Sequence, residues 1–403
     1  MPPAHPLHAR SAPHWLNQDR LKTYPRIFLL MYLLTGIWLL AGSRDGVDAQ
    51  GKPLGTDFIA FWSASHTWLH GAAADAYDVA KLAVTQRIAV PASTSVYAWF
   101  YPPTFYLIVL PLALLPYALG FALFTGATLC AFLMLLRRII RHPGALLLAL
   151  AFPGVVINFL QGQNGFLTAA LAAAALLLLG RRPVAAGVFV GLLAIKPHLA
   201  LLFPVALLAA GHYRAALAAA VSACLFMAAS ILVVSPEAAQ AFVHSIAFAR
   251  TALEEGALPW HKMPTMFALV RLLGFGIGAA YAVHAILALL VTLALVRTWR
   301  RCSSPRLRSA ALMTGTLLIS PYLFDYDLVW LAFPVAWYAA HALEHGWLPW
   351  EREVLAAAWL TPMLVAPIAW GTGVQAAPLV TIALFVMIVR RAREEDAAQG
   401  STL

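Results

Sequence analysis

Continuous apolar segments, many of them close to the length that crosses a lipid bilayer, recur along this chain from residue 26 to residue 389. A transmembrane helix needs about 20 consecutive apolar residues, and it satisfies its backbone hydrogen bonds within the segment. The segments are not alternating in polarity, which excludes a membrane β-barrel. With 62% hydrophobic and 11% charged residues among 403, a soluble fold is excluded as well. The sequence therefore predicts an all-α polytopic membrane protein.

The basic residues do not indicate nucleic-acid binding, although the formal net charge is +10. They form short clusters beside apolar segments, at positions 137–141, 181–182, 297–308 and 390–393. Such clusters mark the cytoplasmic ends of membrane helices, whereas a nucleic-acid surface needs a basic face on a folded domain. We therefore expect membrane lipids around the chain and no nucleic-acid partner.

The positive-inside rule predicts twelve membrane crossings, with both termini cytoplasmic. The excess of arginine over lysine and the many alanines favour a bacterial source, so the expected membrane is a bacterial inner membrane. Residues 1–403 form one membrane domain, with cytoplasmic tails at 1–25 and 390–403 and a long first outside loop at 43–103. The crossings are placed at 26–42, 104–136, 144–158, 165–180, 184–195, 198–211, 215–234, 278–297, 310–322, 327–342, 353–370 and 374–389. The two prolines of 104–136, Pro111 and Pro116, predict a kinked or re-entrant segment. The segments on either side of Lys196 are too short to cross unless tilted or broken.

The first outside loop contains TDFIAFWSASHTWLHG at 56–71. One helical face of this segment is formed by Phe58, Phe61, Trp62 and Leu69. This spacing predicts an amphipathic helix in the membrane interface, with its aromatic side chains as anchors. Asp57 precedes the helix, where a carboxylate favours the helix dipole and Thr56 is a candidate cap. This structural role competes with a catalytic role for Asp57.

Many polar residues gather at the outer side of the membrane in this layout. Ionisable groups at membrane depth are costly, so these residues are candidates for function. The candidates are Asp57, Tyr101, Gln161, Gln163, Asn164, Lys196, His198, His261, Arg271, Asp325 and Asp327.

Structural alternatives stay open for these candidates. The amides at 161–164 form a polar turn, or they bind a sugar or a lipid phosphate. Lys196 snorkels or binds an anionic group. Arg271 is an isolated surface residue or a second cation for such a group. Asp325 and Asp327 begin a helix or accept hydrogen bonds from a substrate.

Several enzyme motifs are absent from the sequence: the GxxxxGK[ST] phosphate loop, the HExxH zinc motif, the GxSxG nucleophile motif and the dinucleotide fingerprint. No metal site and no cofactor are expected. A group-transfer donor is therefore expected to come from the membrane itself.

Short motifs follow one another in order from residue 56 to residue 331. They are Asp57-Phe58 with Gly71 and Tyr77-Asp78, Tyr101-Pro102-Pro103, Leu110-Pro111-Leu112, Leu115-Pro116, Gly162-Gln163-Asn164, Gly187 to Lys196-Pro197, and Ser320-Pro321 with Tyr326-Asp327. This order resembles glycosyltransferase family 87, the polyprenol-phosphate-mannose-dependent α-mannosyltransferases of the GT-C superfamily. The chain departs from the family pattern at 260–265, where WHKMPT replaces the expected polar turn.

The resemblance implies a GT-C-type glycosyltransferase fold and transfer of a hexose, with mannose expected, from polyprenyl phosphate. The acceptor would be a hydroxyl of a lipid or glycan of the cell envelope, on the outer face of the membrane. The resemblance also implies that the first-loop acid, here Asp57, is the general base of an inverting displacement. We expect desolvation by neighbouring aromatic residues to raise the pKa of Asp57 against the helix dipole.

The remaining candidates then fall into two groups. The leaving phosphate is anionic, so cations are expected to bind it, namely Lys196, His198 and Arg271. Substrate contacts are expected from Tyr101, Gln161, Gln163, Asn164, His261, Asp325 and Asp327.

The main alternative function is a multi-pass transporter or lipid flippase of the cell envelope. Twelve spans and broken helices near Lys196 suit a transporter. Transporters, however, usually bind substrate near the bilayer midplane between paired repeats. In this chain the polar residues gather at one interface, which favours the transferase.

Overall fold

The computed structural model describes residues 14–400, with side chains described for residues 14–397. Within this range the regular secondary structure is helical, apart from isolated β-bridges that join residue 47 to residues 44 and 53. The prediction of an all-α protein is therefore confirmed for the described chain. The predicted tails at 1–25 and 390–403 lie partly outside the described residues, at 1–13 and 401–403.

Eighteen α-helices occur within residues 14–400. They are α1 Gln18–Gly42, α2 Phe58–Leu69, α3 Val79–Ala89, α4 Pro103–Val109, α5 Tyr117–Ile139, α6 Ala145–Leu150, α7 Pro153–Gln161, α8 Gly165–Leu178, α9 Pro183–Leu192, α10 Leu202–Ala209, α11 Tyr213–Val234, α12 Pro236–Glu254, α13 Met266–Leu272, α14 Ile277–Arg301, α15 Pro305–Ile319, α16 Ala332–His345, α17 Glu351–Thr372 and α18 Ala377–Gly400. Short 3-10 helices lie between them at Ala73–Tyr77, Leu110–Leu114, Leu193–Ile195, Pro197–Leu199, Trp260–Lys262 and Asp325–Leu331.

Five helices of the described chain are long and apolar enough to cross a membrane: α1, α5, α11, α14 and α17. The predicted number of twelve crossings is not confirmed. Prolines divide several of the predicted segments, because a proline cannot donate the backbone hydrogen bond of a helix interior. Segment 104–136 becomes α4, a 3-10 helix and α5, with the second break at Pro116, as the prolines predicted. Segment 144–158 is likewise divided before Pro153 into α6 and α7.

Helix α2 lies inside the protein and not on the membrane surface. Phe58, Phe61 and Trp62 are 0%, 1% and 7% exposed. The Phe61 ring lies edge-on to the ring of Phe105, with centroids 5.0 Å apart, in a cluster that also contains Trp99. The prediction of interfacial aromatic anchors is therefore wrong for these residues. The helical spacing of apolar residues identifies an apolar face, but it does not show whether lipid or protein covers that face.

The end of α7 approaches α2 closely at Gly162. This glycine has a left-handed backbone, with φ of 61°, and a Cβ there would lie 2.5 Å from the Cβ of Phe58 and 2.9 Å from the Gly55 carbonyl oxygen. The approach brings the Gln161 carbonyl within 3.1 Å of the Asp57 backbone N–H, which donates to it. A glycine is needed because both the backbone conformation and the available space exclude a side chain.

We expect Gly162→Ala to lower the free energy of unfolding by about 2 kcal/mol, because the added Cβ meets backbone and side-chain atoms in a left-handed conformation. Thermal unfolding of the purified protein in detergent measures the change. Gly126→Ala is the matched control, since a Cβ at this position in α5 meets nothing within 4 Å. The control is expected to retain or gain stability, by about 0.5–1 kcal/mol. Equal unfolding temperatures for both variants would contradict the requirement for glycine.

Candidate active site

The Asp57 carboxylate binds the amide turn at 161–164. Asp57 is the residue before α2, but its side chain makes no capping hydrogen bond to that helix. Instead, Gln163 Nε2 donates a hydrogen bond of 2.7 Å to Asp57 Oδ2. The Gln163 Oε1 atom in turn accepts from the Tyr101 hydroxyl at 3.0 Å and from the Asn164 backbone N–H at 3.2 Å. Thr56, the candidate cap, donates its hydroxyl to the Gln161 carbonyl at 3.4 Å instead. Side-chain capping of α2 is therefore not supported, and the helix-dipole role of Asp57 stays a prediction.

The pKa of Asp57 is raised from 3.8 to about 6, mainly by burial and to a smaller extent by the nearby Asp325 carboxylate. The hydrogen bond from Gln163 and the charges of Lys262 and Lys196 act in the opposite direction. Asp57 keeps some accessible surface, although its carboxylate is closely surrounded by protein. Desolvation dominates, as expected from the aromatic neighbours of this residue.

Asp325 forms a second part of the same site. Gln161 Nε2 donates to Asp325 Oδ1 at 3.3 Å, and the backbone N–H of Tyr326 donates to the same oxygen at 2.9 Å. Burial raises the pKa of Asp325, whereas the Lys262 charge opposes this shift. Because Lys262 acts on both Asp57 and Asp325, the two acids and this lysine share one electrostatic environment.

Lys196 and Asp327 form a buried ion pair. Lys196 Nζ lies 2.5 Å from Asp327 Oδ1, and the two side chains are 5% and 1% exposed. The ammonium group also lies 4.9 Å from the centre of the Tyr326 ring. Asp327 Oδ2 accepts from the Phe324 backbone N–H at 3.2 Å, which places Asp327 in its structural role at the start of a 3-10 helix. The snorkelling alternative for Lys196 is wrong, because its charge is buried and paired.

Arg271 contacts three residues at the ends of, and within, the segment between α12 and α14. Its guanidinium donates to the backbone carbonyls of Phe275 at 3.0 Å and Glu254 at 3.2 Å, and it lies 4.6 Å from the Trp260 ring centre. The alternative of an isolated surface arginine is therefore wrong. These contacts leave the predicted phosphate-binding role of Arg271 as a prediction.

Two histidines occupy different positions around the site. His261 lies beside the Trp370 ring, with centroids 5.4 Å apart, and its carbonyl accepts from Gln375 Nε2 at 3.0 Å. His198 lies edge-on to Tyr322 at 6.0 Å, and its Nε2 atom is buried without a hydrogen-bond partner among the described residues. Buried polar atoms are nearly always paired, so this nitrogen is available to a water molecule or to a substrate atom.

The structure thus brings most predicted residues into three adjoining groups. They are Asp57 with Tyr101, Gln163 and Asn164, then Gln161 with Asp325, and finally Lys196 with Asp327. The side-chain amide of Asn164 is fully buried, and its atoms have no partner among the described residues. The direct substrate contacts predicted for these residues stay predictions.

The sequence analysis assigned no site role to two residues, Lys262 and Asn158. Lys262 follows the predicted His261 directly, and only the fold reveals its influence on two acids. Asn158 is fully buried in α7. With its amide oriented to satisfy both neighbours, it donates to the Gln163 carbonyl at 3.0 Å and accepts from the Gly165 N–H at 3.1 Å. An amide in the middle of an apolar helix was the available signal, because burying it requires such partners.

We expect Lys196→Met to lower the free energy of unfolding by about 3–5 kcal/mol, because it leaves the buried Asp327 carboxylate without its counter-charge. The double variant Lys196→Met with Asp327→Leu removes both charges and is expected to recover most of this loss. Thermal unfolding in the same detergent compares the two. A double variant no more stable than the single one would contradict a stabilising role for charge compensation.

Comparison with known proteins gives one match, to a protein family. The family model of glycosyltransferase family 87 matches residues 99–321, more than half of the chain. Searches of curated proteins and of solved structures give no match. The matched region contains Tyr101, the turn at 161–164 and Lys196, whereas Asp57 precedes it and Asp325 follows it. The predicted resemblance is confirmed, and this chain belongs to glycosyltransferase family 87.

Proposed function

We propose that this membrane glycosyltransferase transfers a hexose, with mannose as the first candidate, from polyprenyl phosphate to a lipid or glycan hydroxyl on the outer face of the membrane. Family membership supports glycosyl transfer and disfavours the transporter alternative. The apolar helices support a donor carried by a lipid. The observation that carries the mechanism is the Asp57 carboxylate, held by Gln163 and surrounded by protein so that its pKa is about 6.

Asp57 is the proposed general base. The acceptor hydroxyl gives its proton to the carboxylate while its oxygen attacks the anomeric carbon, and the bond from that carbon to the phosphate oxygen breaks. Attack from the face opposite the phosphate inverts the configuration, so a β-linked donor gives an α-glycoside. A base with a pKa near 6 is about nine-tenths ionised at pH 7, and it is more basic than an ordinary aspartate. Burial of Asp57 therefore favours proton transfer while keeping the reactive form abundant.

Gln163 is proposed to orient this base. Its Oε1 accepts from the Tyr101 hydroxyl and from the Asn164 N–H, so the Nε2 end of the amide must face Asp57. That end donates to Oδ2 of the carboxylate, which leaves Oδ1 for the acceptor proton. Tyr101 and Asn164 thus act on the base through Gln163. Positioning of this kind lowers the cost of reaching the reactive geometry.

Cations near Asp57 are proposed to bind the donor phosphate. Lys196 and Lys262 both lower the pKa of Asp57, so their fields reach the reacting position. His198 adds a buried ring nitrogen without a partner in the described chain. A leaving phosphate is stabilised by positive groups that are already in place before reaction. Arg271 is the weaker candidate, because its guanidinium is engaged by two backbone carbonyls.

The acceptor sugar is proposed to lie near Gln161, His261 and Asp325. Asp325 and Gln161 already bond to each other at 3.3 Å, so a hydroxyl that displaces this contact would find both an acceptor and a donor. Asp327 is proposed to act through its ion pair with Lys196. Sites that hydrogen-bond hydroxyls discriminate strongly among sugars, because an unmatched buried group is costly.

We expect Asp57→Asn to reduce transfer by about 10²–10⁴-fold, because the amide cannot accept the acceptor proton. The assay uses purified protein in nanodiscs, polyprenyl phosphates bearing mannose, glucose or arabinose, and an acceptor lipid extract. It measures release of polyprenyl phosphate. Asp45→Asn is the matched control, since Asp45 is an exposed acid of the same loop with a left-handed backbone that asparagine tolerates. Full activity of Asp57→Asn would exclude the proposed base.

The pH dependence of kcat/KM gives a separate test. The base must be ionised, so activity is expected to be constant above the pKa and to fall about tenfold per pH unit below it. With the pKa of Asp57 raised to about 6, the fall begins near pH 6, whereas an aspartate with an ordinary pKa would keep activity to near pH 4. A profile that stays flat down to pH 5 would contradict the assignment.

The variant Gln163→Ala tests whether the acidic fall of the pH profile belongs to Asp57. The hydrogen bond from Gln163 stabilises the ionised carboxylate and lowers the pKa of Asp57. Its removal is therefore expected to move the acidic fall to higher pH. Gln161→Ala is the comparison, because the Gln161 side chain bonds to Asp325 and only its backbone contacts Asp57. The same displacement in both variants would argue against a specific effect of Gln163.

A further inference from the structure

Three potential metal ligands lie together at the far end of α16, outside the site around Asp57. His341 and His345 are one helical turn apart on α16, and Glu395 of α18 faces them. One ligand atom from each residue lies within 4.8 Å of the other two. His341 Nε2 is 2.6 Å from Glu395 Oε1, and the two imidazole rings are stacked with centroids 4.3 Å apart.

The histidines are oriented for ligation. His345 Nδ1 is 3.0 Å from the His341 backbone carbonyl. A carbonyl only accepts, so Nδ1 of His345 carries the proton and its Nε2 keeps a free lone pair. Metal-binding histidines commonly donate their second nitrogen to a carbonyl in this way. His341 is 2% exposed, whereas His345 is exposed, which gives an ion a route from solvent to the buried ligand.

We propose that His341, His345 and Glu395 bind a divalent transition-metal ion, with Zn²⁺ as the expected ion, and that this ion ties α16 to α18. Two imidazoles and a carboxylate form a ligand set that Zn²⁺ accepts in proteins. Histidines at positions i and i+4 of a helix project from the same face, as they do in established zinc motifs. The third ligand comes from a helix 50 residues later, so the sequence expectation of no metal site overlooked it.

The surroundings indicate a binding site and not a hydrolytic centre. The segment 341–345 reads HALEH, which is the ligand order H-x-x-E-H of a class of zinc peptidases in which the glutamate is the base. Here the Glu344 carboxylate lies 2.5 Å from Arg306 Nη1 and is engaged in that ion pair. Arg391, the other nearby cation, pairs with Glu351 at 3.3 Å. Each arginine thus has an acidic partner that offsets its repulsion of a bound cation.

Metal binding is tested on the full chain, purified without a histidine tag and stripped with a chelator. The protein is loaded with ZnCl₂ and desalted, and the bound metal per chain is measured by mass spectrometry. We expect one tightly held Zn²⁺ in the wild type. Competition with a chromophoric chelator is expected to show at least about tenfold weaker binding for His345→Ala and for Glu395→Gln. Loading with Co²⁺ gives a visible absorption spectrum that reports the coordination geometry independently of transfer activity.

The chain provides a matched control in α2. His66 and His70 have the same spacing, their rings are stacked with centroids 4.0 Å apart, and His70 Nδ1 is 2.9 Å from the His66 carbonyl. No third acidic or thiol ligand completes this pair within the described residues. His70→Ala is therefore expected to retain the full metal content. An equal loss in His70→Ala, or no more Zn²⁺ in the wild type than in Glu395→Gln, would overturn the proposal and leave a metal-free cluster of two histidines and a glutamate.

Discussion

The candidate site depends on the contact between the Asp57 carboxylate and the amide of Gln163. This hydrogen bond of 2.7 Å joins residues that are 106 positions apart in the chain. It forms because the backbone at Gly162 approaches α2 more closely than a side chain would permit. Two donors on Gln163 Oε1 then fix the direction of its amide. The close backbone packing at Gly162 therefore sets the orientation of the proposed base, because it brings Gln163 to Asp57.

The acids of the site differ in how closely a cation compensates their charge. Asp327 and Lys196 satisfy each other in a nearly inaccessible pair, whereas Asp57 and Asp325 share the influence of Lys262. A buried carboxylate without a close cation becomes a stronger base, because the charged form is poorly solvated. The same acid type thus serves two purposes in one site. Asp327 pairs with Lys196 and binds the Phe324 backbone N–H, and Asp57 acquires the raised pKa that its proposed function requires.

The membrane character and the family of this chain were predictable from the sequence, and the fold brings most of the predicted site residues close together. The length of an apolar segment shows whether a helix can cross a bilayer. Ionisable groups at membrane depth cost free energy, so their presence indicates a functional role. The partners of the apolar faces were not predictable. The aromatic side chains of α2 were assigned to the membrane interface, but the rest of the first loop, α4 and α5 cover them. The loop provides protein contacts that no local pattern in residues 56–71 contains.

The sequence by itself determined an all-helical membrane protein with polar residues in a family-specific order, because hydrophobic length and composition act locally along the chain. The tertiary structure decided which of those residues meet. It paired Lys196 with Asp327, directed Gln163 at Asp57, engaged Arg271 with backbone carbonyls, and brought Glu395 to His341 and His345. Such contacts join segments that are distant in the chain. Helix packing and the close backbone approach at a glycine bring these segments together, and the spacing of residues in the sequence does not show either.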